Sequence, residues 1–249
     1  MRIVKWVIVV ALVLLFVAVA GFTIWAYTPL GPSAEALAAL ESDAAVTVST
    51  EPWLTFTPTE AAESVGFILY PGGRVDPRSY APQARAIAEQ GYLVIIPPMP
   101  FNLAVFGVNK ADDVMAAHPE ITDWAVGGHS LGGAMAASYF FSQEGSEDGL
   151  VLWASYATPG NSLAERQLLA TSIYGTLDGV ASPEEVLAGK ALLPSDATFI
   201  PIEGGNHAQF GSYGPQPGDN PAAISSEEQR DQAARATVEL LQRLAASTP

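Results

Sequence analysis

The chain of 249 residues contains no cysteine. Disulfides, thiolate metal sites and a cysteine-linked lipid anchor are thereby excluded. Basic side chains are few, 11 Lys and Arg against 26 Asp and Glu, for a formal net charge of −15. Such a surface repels polyanions, so no nucleic-acid partner is expected and anionic lipid is not attracted either. Histidine is scarce as well: any search for a general base is confined to His118, His129 and His207. No internal repeat and no long low-complexity segment breaks the chain, whose length suits one sizeable domain plus a short extra segment.

Charge is missing altogether from Trp6 to Tyr27, a run of 22 residues preceded by Arg2 and Lys5. At about 1.5 Å per residue this run spans a hydrocarbon core of roughly 30 Å. The basic residues before it place the N-terminus in the cytoplasm and the rest of the chain on the extracytoplasmic side. Trp6 at one end, and Trp25 and Tyr27 at the other, suit the two membrane interfaces. Ala18-Val19-Ala20 has the small-x-small form of a signal-peptidase site, so secretion after cleavage is the alternative. Because the run continues past that site to full spanning length, an uncleaved single-pass anchor is expected over residues 1–28. A short helical stalk over 29–42, set off by Pro29, Gly31 and Pro32, and a globular domain over 43–249 follow.

Within the domain, short runs of branched and aromatic residues alternate with helix-length segments. Strands are predicted at Val46 to Thr50, Trp53 to Thr57, Val65 to Tyr70, Tyr92 to Pro97, Asp123 to Gly127, Leu150 to Ala154, Thr171 to Tyr174 and Thr198 to Ile202. Helices are predicted at Pro77 to Gln90, Val108 to Ala117, Leu131 to Ser142, Ser182 to Gly189 and Ala222 to Ala246. This alternation predicts an α/β fold, a mostly parallel sheet covered by helices on both faces.

Between the fifth strand and the third of these helices stands Gly128-His129-Ser130-Leu131-Gly132, a G-x-S-x-G pattern. Glycines two residues either side allow a sharp turn that exposes a serine, and the Leu131 N–H at the helix start then faces a developing oxyanion. The competing reading is a glycine-softened helix start. A serine hydroxyl needs a base and a group to orient that base. His129 adjoins Ser130 and must point away, so it is assigned to packing; His118 precedes Pro119 at a helix end and suits a solvated or capping role. His207, in the glycine-rich loop after the last strand, is the expected base. Asp178, just past the seventh strand, is the expected acid, with Asp196 and Glu203 as weaker candidates. The order Ser130, Asp178, His207 places each residue beyond the carboxyl end of a different strand, where open α/β sheets bind ligands. A second oxyanion donor is expected from the Gly73 N–H in the loop after the third strand.

The motifs "YPGG" (70–73), "GGHSLGGA" (127–134), "YGTLDG" (174–179) and "GGNHAQFG" (204–211) together resemble the α/β-hydrolase superfamily, in particular the compact serine esterases related to dienelactone hydrolase. The resemblance runs from about Val46 to the C-terminus. It implies an α/β-hydrolase fold with an eight-stranded sheet, the triad Ser130, Asp178 and His207, oxyanion donors at Leu131 and Gly73, and hydrolysis of carboxylic esters through an acyl-enzyme, with neither metal nor organic cofactor. Two departures stand out: dienelactone hydrolases proper use a cysteine nucleophile, absent here, and the usual His-Gly of the oxyanion loop is Pro71-Gly72. The serine at the nucleophile position also argues against haloalkane dehalogenase or epoxide hydrolase chemistry, which needs a carboxylate there.

Too few residues separate the sixth and seventh predicted strands for a cap domain, so an open site for small or soluble ester substrates is expected. Met99, Phe101, Leu103 and Phe106 are candidates for an apolar pocket or, equally, for packing beneath the sheet edge, and Phe210 to Tyr213 for one wall of the entrance. Arg74, beside the oxyanion loop, is expected to be solvated, with attraction of a substrate carboxylate as the alternative. Two other functions fit the same pattern: a non-catalytic binding domain with this fold, and an acyltransferase using the same triad.

Overall fold

A computed structural model describes residues 2–60, 64–143 and 149–247; Met1 and residues 61–63, 144–148 and 248–249, which fall in the expected anchor and domain ranges, lie outside the described residues. Eight strands are formed: β1 (Val46–Ser49), β2 (Leu54–Pro58), β3 (Val65–Tyr70), β4 (Leu93–Ile96), β5 (Asp123–His129), β6 (Gly149–Trp153), β7 (Leu169–Gly175) and β8 (Thr198–Ile202). They make one sheet in the order β1-β2-β4-β3-β5-β6-β7-β8. β2 pairs antiparallel with β1 and β4, and all pairs from β4 to β8 are parallel.

The burial of each strand follows its place in that order. β3, β4 and β6 are buried at every position, because strands covered on both faces carry apolar side chains on both. The edge strands β1 and β8 are partly exposed, and β8 tolerates Pro201 because an edge strand can lack a ladder donor.

Seven helices accompany the sheet among the described residues: α1 (Arg2–Ala26), α2 (Ala34–Ala38), α3 (Ala81–Ala88), α4 (Lys110–Ala117), α5 (Leu131–Ser142), α6 (Pro183–Ala188) and α7 (Ser226–Ser247). α3 and α7 cover Phe67, Leu69 and Trp153, whereas α4 and α5 cover Ile68, Tyr70 and Leu152. Neighbouring residues of β3 thus enter opposite layers, as a period of two requires. α7 buries Leu240, Leu241 and Leu244 against the first layer. Each such side chain contributes about 1.5–3 kcal/mol, and a charge at Leu241 would break the docking. α7 starts at Ser226 rather than Ala222: the Ala223 N–H is taken by the Gly204 carbonyl, and Ser225 Oγ caps the Glu228 N–H.

α1 is long and apolar enough to cross a membrane, and only Ala26 in it is buried. Residues 29–42 lie against the domain: Ala36 is buried in α2, Arg85 donates to the Ala39 and Glu41 carbonyls, and Arg230 pairs with Glu35. Residues 154–168, between β6 and β7, hold only a short turn at Pro159–Asn161, so no cap domain stands there.

Candidate active site

β5 ends at His129, and Ser130 swings the chain into α5 with φ 53° and ψ −122°. A left-handed φ at a non-glycine residue costs about 1–3 kcal/mol and persists only where neighbours hold it. Here the Ser130 N–H donates to the Trp153 carbonyl (2.9 Å), while the Ser130 carbonyl accepts from Ser155 Oγ (2.7 Å) and the Ala134 N–H (3.1 Å). The flanking glycines are a steric necessity. A Cβ on Gly132 would stand 2.1 Å from the Tyr70 carbonyl oxygen, and one on Gly128 2.4 Å from the Gly132 carbonyl carbon. A serine at an ordinary helix start would bond its hydroxyl to an N–H of the first turn. Ser130 makes no such bond, and its side chain is half-buried rather than enclosed.

Asp178 lies in the turn after β7. Its Oδ1 accepts the N–H groups of Val180 (2.8 Å) and Ala181 (2.7 Å), and its Oδ2 lies 2.8 Å from Nδ1 of His207. Both side chains are fully buried. The Nδ1–H bond to the carboxylate sets the tautomer and leaves a lone pair on Nε2. That Nε2 is buried without a hydrogen-bond partner among the described residues. An unpaired buried acceptor is costly, and a reacting hydroxyl or a ligand would relieve it. The His207 ring stands 4.5 Å, centroid to centroid, from that of His129, which brings the loop after β8 against the turn at Ser130.

The loop after β3 runs beside the first residue of α5. Leu131, first in α5, has an N–H without an intrahelical acceptor at the positive end of the helix. A Cβ on Gly73 would lie 3.2 Å from Leu131 Cδ2, so the loop after β3 runs alongside. In that loop the Gly72 N–H is taken by Tyr80 Oη at 2.8 Å, whereas the Gly73 N–H makes no hydrogen bond among the described residues.

Comparison with known proteins agrees with this architecture. The family model described as "Alpha/beta hydrolase family" matches residues 66–231, two thirds of the chain. The chain belongs to the alpha/beta hydrolase family. No curated protein matches it in sequence. Among solved structures, the esterase domain of a Rhodothermus marinus protein superposes with a TM-score of 0.59 at 10% identity, over 78% of this chain and 92% of that one. An alpha-beta serine hydrolase homologue from Coxiella burnetii gives 0.54 at 16% identity over 78% and 98%. A dienelactone-hydrolase-like protein of Klebsiella pneumoniae gives 0.55 at 15% identity over 80% and 97%. At such identities the superpositions show the shared fold.

Several residues of this hydrolase lie elsewhere than expected. Phe210 is fully buried against the rings of Trp153 and His129, so it belongs to the core and offers no wall to an entrance. Met99 is buried beneath the sheet edge, its sulfur beside Gly107, for the same reason of close packing. Phe101 is half-buried, with its ring against Phe22, Tyr27 and Phe106. Arg74 is not free in solvent: Nε donates to the Trp25 carbonyl (2.8 Å) and Nη2 to the Thr28 carbonyl (2.7 Å). His118, by contrast, ends α4 and pairs with Glu120 at 2.9 Å, in keeping with a helix-end role, and Asp196 and Glu203 are exposed.

The hydrolase also uses side chains that the sequence pattern did not single out. Tyr80 Oη, besides accepting the Gly72 N–H, lies 2.9 Å from Nδ1 of His129. Burial keeps the Tyr80 phenol protonated far above its usual range. Burial, and next the His207 ring, hold His129 well below its ordinary pKa, although the His207 backbone opposes this. Asp219 accepts the N–H groups of Gly179 (3.1 Å) and His207 (3.2 Å) on Oδ1 and of Ala208 (2.8 Å) on Oδ2. One carboxylate thus ties the loop bearing Asp178 to the loop bearing His207. A detectable signal existed for Asp219 only in its setting, a Gly-Asp-Asn turn in the proline-rich segment 211–221.

Proposed function

We propose that this alpha/beta hydrolase is a serine carboxylic-ester hydrolase acting through an acyl-enzyme. The observation that carries the reading is the buried Asp178–His207 pair with an unpartnered Nε2, its ring packed on that of His129, the residue before a strained serine whose hydroxyl caps no helix. Ser130 Oγ attacks the ester carbonyl while His207 Nε2 takes its proton. Asp178 holds the imidazolium, and the N–H groups of Leu131 and Gly73 bind the oxyanion. His207 then protonates the leaving alcohol and activates the water that releases the acid. The reaction uses no metal or organic cofactor, and an uncapped site suits small esters.

The reading extends to the chain's placement. Residues 1–28, which include α1, form an uncleaved anchor, residues 29–42 lead into the domain of 43–249, and the domain lies on the extracytoplasmic side. Fluorophosphonate labelling and p-nitrophenyl acetate hydrolysis test the chemistry, wild type beside Ser130→Ala. Labelling and turnover lost together, with the fold retained, are expected. Equal labelling in S130A would overturn the assignment, and an inert, folded wild type would favour a binding domain. Added alcohols that divert the acyl group in place of water would favour an acyltransferase. The mass of the membrane-bound protein tests cleavage.

A further inference from the structure

We infer that the mouth of the site is seated on the lipid bilayer that α1 crosses, and that the ester reaches Ser130 from the membrane phase rather than from water. This rests on the reading of the site as an ester hydrolase and of α1 as an anchor.

The last carbonyls of a helix lack intrahelical partners and carry the negative end of its dipole. At the end of α1 they are taken by side chains from the two loops that rim the site. Arg74 bonds the carbonyls of Trp25 and Thr28, its guanidinium 4.4 Å over the Trp25 ring, and Asn102 Nδ2 bonds the Ala26 carbonyl (2.9 Å). The chain leaving α1 is fixed too, since the Leu30 N–H donates to the Arg74 carbonyl and the Asp76 N–H to the Leu30 carbonyl. Arg74 directly follows Gly73, and a Cβ on Gly73 would meet Leu103, the neighbour of Asn102, at 3.8 Å. The helix end is therefore docked on the oxyanion loop, with no free linker between them.

Depth follows from the helix. Phe22 lies one turn before Ala26, about 6 Å further into the span. The Phe101 ring is 5.6 Å from that of Phe22, so this loop reaches the level of the membrane-embedded residues. Phe101 takes up that position at φ 57°, a conformation that a bulky residue holds only under constraint. On the same loop Val105 and Phe106 are 50% and 54% exposed. Large apolar side chains beside the end of a membrane span find their burial in the interface. With a net charge of −15 the seat is apolar rather than electrostatic, and zwitterionic lipid suffices.

The cysteine-free chain allows a direct test. Full-length protein carrying a nitroxide at F106C is reconstituted in phosphatidylcholine vesicles, with E89C at the end of α3 as the water-facing reference. Its mass verifies that residues 1–28 are retained. Oxygen collisions dominating at F106C and a water-soluble nickel chelate dominating at E89C are expected; nickel-dominated collisions at both would overturn the proposal. In parallel, V105D is assayed on a long-chain ester dissolved in the vesicles and on p-nitrophenyl acetate in water. A loss of about tenfold on the lipid-borne ester alone is expected, the order given by losing the burial of one side chain. An unchanged rate on the lipid-borne ester would also overturn it. A chain that sits at lipid depth yet cleaves neither ester would retain the seating and overturn the hydrolase reading.

Discussion

The phenol of Tyr80 stands 2.9 Å from Nδ1 of His129 while accepting the N–H of Gly72. The Tyr80 hydroxyl thus has two partners, the Gly72 N–H and the His129 ring nitrogen. One side chain thereby holds the loop after β3 to the end of β5. Tyr80→Phe leaves a buried N–H and a buried imidazole nitrogen unpaired, at about 1–3 kcal/mol. A lower melting temperature is expected together with a lower kcat on p-nitrophenyl acetate, and unchanged values of both would count against the linkage.

His129 also predicts a pH dependence of stability. Its folded pKa lies well below 6.5, so the unfolded chain binds a proton that the native chain refuses. The contribution is therefore full above about pH 6.5 and is lost as the pH falls below it, at up to roughly 1.4 kcal/mol per pH unit. The melting temperature should drop between pH 7.5 and 5.5, and His129→Asn should show a smaller drop over the same interval. Parallel curves would exclude His129 as the source.

Asp219 holds the loops bearing Asp178 and His207 through backbone N–H groups of Gly179, His207 and Ala208. Asp219→Ala should cut kcat about 10- to 100-fold through displacement of the His207 ring, with KM nearly unchanged. Asp219→Asn, which keeps one acceptor oxygen, should fall between. A change confined to KM would place Asp219 in substrate binding instead.

The turn at Ser130 admits no side chain at Gly132. Gly132→Ala should destabilise by about 3 kcal/mol or more, because its Cβ meets the Tyr70 carbonyl oxygen at 2.1 Å. Gly160→Ala, with open space around its Cβ, is the matched control and should leave the melting temperature within a degree or two. Equal effects would mean that the turn can yield.

Amino-acid order alone determined the fold class of this protein, because the alternation of apolar strands with helical segments is a local pattern that burial on both faces imposes. It also determined the long apolar helix α1, through composition, and the serine turn, because glycines at fixed offsets answer a local steric demand. Ser130, Asp178 and His207 could be nominated because each follows a strand end that the pattern marks. Tertiary structure alone decided what meets what across long sequence separations. Tyr80 reaches His129 and Gly72, and Asp219 joins two loops, through bonds that leave no periodic trace in the sequence. Phe210 went to the core rather than the entrance because ring packing against Trp153 is settled by the sheet's layering. Arg74 and Phe101 found α1 for the same reason: a helix end's unpaired carbonyls and exposed rings take whichever partners the fold brings near, and those partners lie about 50 to 80 residues away in the chain.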